Sequence, residues 1–204
     1  MCGRRFGRLW MVFILLGLFA CSPADKRADL SYDRTVNAKG GLGELFIAKP
    51  SVKFDASRNA SGDLVIGIIK GTGRDVVTRD DVSDWLMRAF SEELNAAGYR
   101  VTEVQKLPGE VSKGLAISVS KLSADQTPET LTISTVSNMK VGAEVWRDGK
   151  LVKILTVTAD SEEKGIDRSA EPITNVLKRA LQDIMRRLVP DIISTLEQRS
   201  PGGS

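Results

Sequence analysis

Two cysteines, Cys2 and Cys21, and no histidine occur in this 204-residue sequence. Cys21 could be a catalytic thiol, half of a disulfide, a metal ligand or something else. Histidine, which usually activates a catalytic thiol or joins cysteine in a zinc site, is absent. The residues around Cys21 are therefore needed to distinguish between these possible roles.

The residues before Cys21 have the order of a secretory signal. Arginines within the first eight residues precede an uncharged apolar run over residues 9–20, and the small residue Ala20 comes directly before Cys21. A basic start, an apolar run of roughly 7–15 residues and a small residue at the cleavage point are typical of such signals. A membrane-spanning helix needs roughly 20 apolar residues, so this run is too short. We predict that residues 1–20 are a signal peptide.

The last four residues of this region, Leu18-Phe19-Ala20-Cys21, resemble the lipobox of bacterial lipoproteins, with a less usual phenylalanine in the middle. The resemblance implies that the Cys21 sulfur takes a diacylglycerol, that the precursor is cut before it, and that the new amine is acylated. One acyl chain anchors a protein only marginally, but two or three hold it stably at about 0.8 kcal/mol per buried CH₂. The alternative is a plain secretory signal with an incidental cysteine.

Ser22, which follows the cysteine, bears on the target membrane. Serine rather than aspartate at this place is similar to the outer-membrane sorting class of enteric lipoproteins. We therefore expect a palmitate-bearing protein on the periplasmic face of the outer membrane, held by acyl chains on Cys21. Inner-membrane anchoring stays the alternative.

Composition narrows the function classes further. The chain has 29 basic and 26 acidic side chains, and loss of the three signal arginines leaves 26 of each in the mature chain. This balance argues against general nucleic-acid binding, which needs a basic footprint. Use of Cys21 for lipid attachment excludes an intrachain disulfide, CxxC redox chemistry and cysteine metal sites. We expect no catalytic residue, no metal and no cofactor.

Two amphipathic helices are predicted. The first covers residues 78–97, with Thr78 as its cap and Gly98 as its stop. The second begins at Pro172, a residue suited to the first helical turn. Pro190 is expected to kink or end this second helix, with the apolar face continuing after it. Apolar residues in these segments recur at spacings of three and four, so each helix should bury one stripe.

Short apolar or alternating segments predict strands around and between the helices. Asp148-Gly149 suits a tight type I′ turn and therefore predicts a hairpin. The element order predicts an α+β two-layer sandwich, with a mostly antiparallel sheet of about 4–6 strands and both helices on one face. Residues 21–44 are expected to form the lipidated cysteine and a flexible tether, 45–199 a single α+β domain, and 200–204 a disordered tail.

Two motifs suggest ligand chemistry, but a structural interpretation is favoured for both. KGTGRD, residues 70–75, has glycines that could approach a phosphate, yet it matches neither phosphate-loop pattern and glycines are common in connections between elements. Asp80, Asp81 and Asp84 could ligate a cation. They begin a predicted helix, where carboxylates commonly serve as caps and dipole partners.

A partner surface is the remaining candidate site. Trp146 alternates with Val145 across the predicted sheet, which would leave its ring partly exposed on the uncovered face. Four cations lie opposite the apolar stripe of the second helix and could meet lipid phosphates or an acidic partner; a solvated face is the alternative. They are Lys178, Arg179, Arg186 and Arg187.

With the stretch "TRDDVSDWLMRAFSEELNAAGYRV" behind a lipobox, the chain resembles the YajG-type lipoproteins. The "V…AL…L…GY" pattern of that family is matched by Val82, Ala89, Leu94, Gly98 and Tyr99. Its closing helix is matched by residues 176–196. The resemblance covers residues 45–199, and the element order is also similar to LptE-type lipoproteins and to auxiliary lipoproteins of lipid transporters. It implies the fold and the location in the envelope, and it brings no catalytic residues.

The sequence therefore favours a non-enzymatic lipoprotein that binds or stabilises an envelope partner complex of unknown identity. One rival is a lipid- or glycolipid-binding accessory of an envelope transport system, which a deep apolar cavity between sheet and helices would favour. The other is an enzyme that uses carboxylates and serines, which a cleft with converging carboxylates would favour.

Overall fold

The computed structural model describes residues 25–198. None of the helices within that range is long and apolar enough to cross a membrane. The elements in chain order are β1 (Lys26–Arg27), β2 (Glu44–Val52), β3 (Leu64–Ile69), β4 (Arg74–Thr78), α1 (Val82–Ala97), β5 (Arg100–Val104), β6 (Lys113–Pro128), β7 (Ile133–Arg147), β8 (Lys150–Gly165) and α2 (Glu171–Glu197).

The eight strands form one branched, mixed sheet. β8, β7 and β6 lie side by side as long antiparallel strands. The other edge of β6 pairs with β2 along its first half and with β3 near its end, so that β2–β5 and β3–β4–β1 form two branches. Four of the seven strand pairings are parallel.

The prediction of a mostly antiparallel sheet with 4–6 strands is therefore wrong, although the fold is α+β with two helices. The physical reason is a crossover connection, which parallel strands require. α1 carries the chain back to the end of the sheet where β2 begins, so β5 runs beside β2 in the same direction. The apolar pattern of a strand reports its burial but not the direction of a distant partner.

Both helices pack on one face of the sheet and enclose a single aliphatic core. α1 lies on β2 and β5, whereas α2 lies on β6, β7 and β8. Large, fully buried side chains pack between the helices and the sheet. They include Trp85, Leu86 and Phe90 of α1, Leu115 of β6, Met139 of β7, and Leu177, Leu181 and Ile184 of α2.

α1 starts later than the sequence predicts. Thr78 is the last residue of β4 and is fully buried, and the cap is Asp81, whose side chain accepts hydrogen bonds from Ser83 N and Asp84 N. Gly98 ends the helix as predicted, because its φ of 115° belongs to the left-handed region that glycine adopts at helix ends.

α2 starts as predicted but does not end at Pro190. It runs from Glu171 to Glu197, with Pro172 in its first turn. Pro190 itself is exposed, while Ile192 and Leu196 beyond it are buried in the core. We infer that burial of this last apolar turn outweighs the one backbone hydrogen bond that proline removes.

Residues 28–43, named here the strap, lie against both helices instead of forming part of a flexible tether over 21–44. Ala28 and Leu30 are buried, with exposed fractions of 1% and 4%. Ala28 N donates to Val77 O at 2.8 Å, and Trp85 Nε1 of α1 donates to Ser31 O at 3.0 Å. Small and apolar residues at alternate positions give the strap a buried side, despite its polar composition.

The β7–β8 hairpin follows the prediction. Asp148 and Gly149 both have positive φ, at 51° and 70°, as a type I′ turn requires. Gly149 N also donates to Val111 O at 2.8 Å, which ties the turn to the loop before β6.

Candidate functional site

Cys21, the predicted lipid-attachment residue, lies outside the described residues, and its role stays a prediction. The described chain begins at Asp25, directly before β1. β1 is a short strand that pairs in parallel with β4 through Lys26 and Arg27. The segment that follows Cys21 therefore joins the domain at the edge of one sheet branch.

Trp146 lies on the sheet face opposite the helices, as the alternation with fully buried Val145 predicts. It is half-buried and stands opposite Gly114 of β6 and Leu151 of β8. A Cβ on Gly114 would lie 3.0 Å from a methyl carbon of Val111, so the glycine lets the loop before β6 pack on this face. The indole Nε1 is buried and has no hydrogen-bond partner among the described residues.

Apolar side chains extend from Trp146 to the outer edge of the sheet. Leu151, Val152 and Ile154 of β8 are 43%, 39% and 63% exposed. Together with Trp146 they form the apolar patch. Farther along β8, this face is polar and carries Thr158, Asp160, Glu162 and Lys164.

The outer edge of β8 is covered over only part of its length. Among the described strands, β8 pairs with β7 alone. Arg187 of α2 donates to Thr158 O at 3.4 Å, and Arg179 donates to Glu162 O at 3.5 Å. These two carbonyls point away from β7, and the alternation of a strand places the backbone groups of Ile154 and Thr156 on the same outer side.

No described residue covers the first half of β8, residues 150–156, on its outer side. We call this segment the open edge. It coincides with the β8 part of the apolar patch, so unpaired backbone groups and exposed apolar side chains occur together.

The four cations predicted as a partner surface all have partners within the chain. Lys178 forms an ion pair with Asp33 at 3.0 Å, and Arg186 donates to Thr35 Oγ1 at 3.0 Å, so both hold the strap. Arg179 pairs with Glu163 of β8 at 2.6 Å. Arg179 and Arg186 are exposed and Lys178 is half-buried, and the partners of all three lie far away in sequence, so they could not be read from it.

Arg187, the fourth cation, pairs with Asp183 one helical turn earlier at 2.5 Å. Its second contact, to Thr158 O, places it beside Arg179 along β8. The basic face of α2 therefore divides by function: two cations hold the strap and two cover the edge strand.

The carboxylates at the start of α1 do not converge. Asp80 accepts from Leu30 N of the strap at 2.6 Å, Asp81 caps the helix, and Asp84 pairs with Lys49 at 3.1 Å. The described residues contain no group of three or more candidate metal ligands. Helix capping and pairing account for all three carboxylates.

A cationic cavity lies at the opposite end of the sheet, and sequence reasoning missed it. It has a volume of about 360 Å³ and is lined by Lys26, Arg74, Arg168 and Gln126, among others. Lys26 Nζ donates to Gln126 Oε1 at 2.7 Å and to Ser169 O at 3.3 Å. The three cations come from positions 26, 74 and 168, so no local motif could reveal the cluster.

The pKa of Lys26 is lowered by its surroundings. Burial is the largest cause, and the positive charge of Arg74 is the second. Asp167 opposes the shift and Arg168 adds to it. Positive charge is therefore in excess in this cavity.

KGTGRD contributes to the cavity but not as a phosphate loop. Gly71 and Gly73 adopt φ of 76° and 66° in the β3–β4 turn, and Thr72 N donates to Ile69 O at 3.2 Å. The motif is a hairpin turn, as the structural interpretation implies, and it places Arg74 at the start of β4.

A second cavity, of about 530 Å³, lies between the strap and α2 beside Val36, Ala38, Pro190 and Ile193. It is open to the surface and lies outside the sheet–helix interface, where large side chains are fully buried. Neither of these two cavities lies between the sheet and the helices, where a lipid carrier would need one.

Solved structures share this fold at low sequence identity. A crystal structure of a DUF330 protein from Xanthomonas campestris matches with a TM-score of 0.53 and 16% identity, over 84% of this chain and 94% of that chain. At that identity the likeness shows the fold alone.

Two further matches have TM-scores below 0.5 and carry no argument. A lipoprotein from Neisseria meningitidis gives 0.36 at 12% identity, over 70% of this chain and 98% of its own. A hypothetical protein from Chlamydia trachomatis gives 0.44 at 11% identity, over 77% and 99%. No protein-family model and no curated protein sequence matches the chain.

Proposed function

We propose that this protein is a non-enzymatic, lipid-anchored envelope protein that binds a protein partner through the open edge of β8. The partner supplies an extended segment that adds a strand beside residues 150–156. The observation that carries the proposal is the coincidence of unpaired backbone groups with exposed Leu151 and Ile154 on the same half-strand.

The physical argument begins with edge strands in general. An unpaired edge carrying apolar side chains is a template for pairing with other chains, and proteins usually protect it with charges, bulges or covering elements. Here Arg179 and Arg187 cover the second half of β8. The first half has no covering element among the described residues, and it carries Lys150, Lys153 and a register shift opposite Val145 and Trp146 beside its exposed apolar residues Leu151, Val152 and Ile154.

Strand addition explains both parts of this surface. Main-chain hydrogen bonds to the added strand give affinity, and side-chain contacts on the sheet face give specificity. Leu151 and Ile154 of β8 would flank the partner strand directly, and Trp146, one strand farther in, would contact only long side chains of the partner. The half-buried tryptophan suits such a contact, since aromatic residues are enriched where binding energy concentrates.

The location of the partner follows from the start of the chain. The signal-like residues 1–20 and the lipobox resemblance at Cys21 support attachment to the outer membrane on its periplasmic face. The YajG-type rhythm from Val82 to Tyr99 supports the same class of small envelope lipoproteins. A partner in or beneath that membrane is therefore expected.

Site-specific photo-cross-linking in intact cells tests the partner site. A photoreactive residue is introduced at Ile154 of the open edge, or at Ile166 as a matched control. Ile166 is more exposed, at 81%, and directly follows β8. We expect one protein to cross-link from position 154 and not from position 166.

Ile154→Lys provides the companion test. It should reduce capture of that protein by a cross-linker placed at Leu151 at least tenfold, whereas Ile166→Lys should leave capture within twofold. Both variants should keep their urea midpoint, because exposed substitutions change stability by only about 0.5 kcal/mol. Equal capture from 154 and 166, or recovery of lipid without protein, would contradict the proposal.

A further inference from the structure

The cationic cavity has no role in strand addition and lies at the other end of the molecule's sheet. Its lining cations come from three separate elements: Lys26 from β1, Arg74 from β4 and Arg168 from the loop before α2. Like charges repel, so three of them around one cavity of about 360 Å³ would be stabilised by an anion, most of all at half-buried Lys26 and Arg74; Arg168 is exposed.

The chain itself supplies little counter-charge. Among residues 25–198, Asp167 is the carboxylate whose charge acts favourably on Lys26. Its own oxygens accept from Ser169 N at 2.7 Å and Ser169 Oγ at 2.8 Å. Within residues 25–198, neither Arg74 nor Arg168 forms a salt bridge or a side-chain hydrogen bond.

A buried donor in the same cluster also lacks an acceptor. Arg74 Nε is buried and has no hydrogen-bond partner among the described residues. Leaving such a group unpaired costs roughly 1–3 kcal/mol, and more when it is charged. Nε itself is closed off from the cavity, so an anion there would accept from the outer guanidinium nitrogens of Arg74 and neutralise the cluster.

The cavity is also held in shape. Gln126 is fully buried, accepts from Lys26 Nζ at 2.7 Å, and donates through Nε2 to Thr135 Oγ1 at 3.1 Å. Lys26 is therefore fixed at the cavity wall. A fixed ammonium group and two guanidinium groups match the oxygens of a phosphate, which arginine binds with paired N–H groups.

We propose that the cavity formed by Lys26, Arg74, Arg168 and Gln126 binds a phosphate group, and that the group belongs to a lipid headgroup of the membrane that holds Cys21. The phosphate chemistry rests on the cavity alone. The membrane source rests on the proposed lipid anchor.

The distance along the chain supports the membrane source. Lys26 follows Cys21 by five residues. A fully extended chain spans at most about 3.6 Å per residue, so Lys26 lies no more than about 18 Å from the lipidated residue. The headgroup phosphates of the anchoring membrane are then the nearest abundant anions, and the bound headgroup would orient the domain on its anchor.

Isothermal titration calorimetry on the full chain, purified from membranes in non-ionic detergent, tests the proposal with two probes. Inorganic phosphate probes the chemistry, and dihexanoylphosphatidylglycerol probes the lipid source. We expect saturable binding of both, with the lipid probe binding at least as tightly.

Two pairs of substitutions remove equal charge. Arg74→Gln with Arg168→Gln should weaken both probes at least tenfold. Arg88→Gln with Arg100→Gln removes two exposed arginines elsewhere and should change binding less than threefold. If the Arg74→Gln and Arg168→Gln pair lowers the urea midpoint, Arg168→Gln alone replaces it, because a loop substitution should leave the fold intact.

Equal weakening by the two pairs would overturn the phosphate site. Binding of inorganic phosphate without competition by the lipid probe would overturn the membrane source. The pocket substitutions should leave cross-linking at Ile154 unchanged, so a failure of strand addition and a failure of phosphate binding can be told apart.

Discussion

At the scale of single residues, Glu93 accepts hydrogen bonds from three residues of the strap. This α1 side chain is 1% exposed and accepts from Thr35 N at 2.7 Å, from Val36 N at 3.1 Å and from the Tyr32 hydroxyl. Burial, followed by the hydrogen bond to Glu93, raises the pKa of Tyr32, so the phenol stays a donor at any physiological pH. One carboxylate thus fixes three strap residues.

Glu93→Ala should lower the free energy of unfolding by about 2–4 kcal/mol, because two backbone N–H groups and a hydroxyl lose their acceptor. Glu93→Gln should cost less, since an acceptor oxygen remains. Urea denaturation measures both values. Exposed Glu92→Ala is the control and should stay within about 0.5 kcal/mol of the parent. An equal effect of Glu92→Ala and Glu93→Ala would mean that the strap is not held by this carboxylate.

At the scale of elements, the β3–β4–β1 branch of the sheet depends on close approach between β3 and β6. A Cβ on Gly67 of β3 would lie 1.9 Å from Ala124 O and 2.6 Å from Ala124 C of β6. The pairing of β3 with β4 also shifts register between Val65 and Gly67. The missing side chain is therefore what lets this branch join β6.

Gly67→Ala should cost about 3 kcal/mol in stability, because backbone atoms of β6 must move to admit the methyl group. Gly109→Ala is the matched control, since nothing lies within 4 Å of its added Cβ. Urea midpoints of the two variants give the comparison. A Gly67→Ala protein as stable as Gly109→Ala would show that β3 is not fixed against β6.

The elements also show which parts of the fold could be predicted from the sequence. Features that depend on a few neighbouring residues are as predicted. They are the Asp148-Gly149 turn, the end of α1 at Gly98 and the start of α2. The cap moved from Thr78 to Asp81 because β4 takes Thr78 into the sheet. Strand direction failed because parallel partners are set by α1, a whole element away.

The candidate sites divide in the same way. Alternation alone predicts that Trp146 lies on the uncovered face. The sequence predicts the cations of α2 as a stripe opposite the apolar face. Their contacts to Asp33 and Thr35 could not be predicted, because the polar composition of the strap predicts a flexible tether. The cationic cavity is lined by both Lys26 and Arg168, which lie 142 residues apart in the sequence, so no local pattern could predict it.

At the scale of the whole molecule, the described chain starts at the cationic cavity and the open edge lies at the other end of the sheet. The strap connects the start of the domain to both helices through Glu93, Lys178 and Arg186. In the proposed arrangement, the cavity contacts the anchoring membrane and β8 meets the partner away from it. The central claim beneath this arrangement is that Cys21 carries the lipid.

Whole-cell labelling with a palmitate analogue tests that claim most directly. The parent protein and Cys2→Ala, which alters the other cysteine, should take up label equally and fractionate with the outer membrane. Cys21→Ala should take up none and leave the membrane fraction. An unlabelled parent protein, or equal label on Cys21→Ala, would contradict the account.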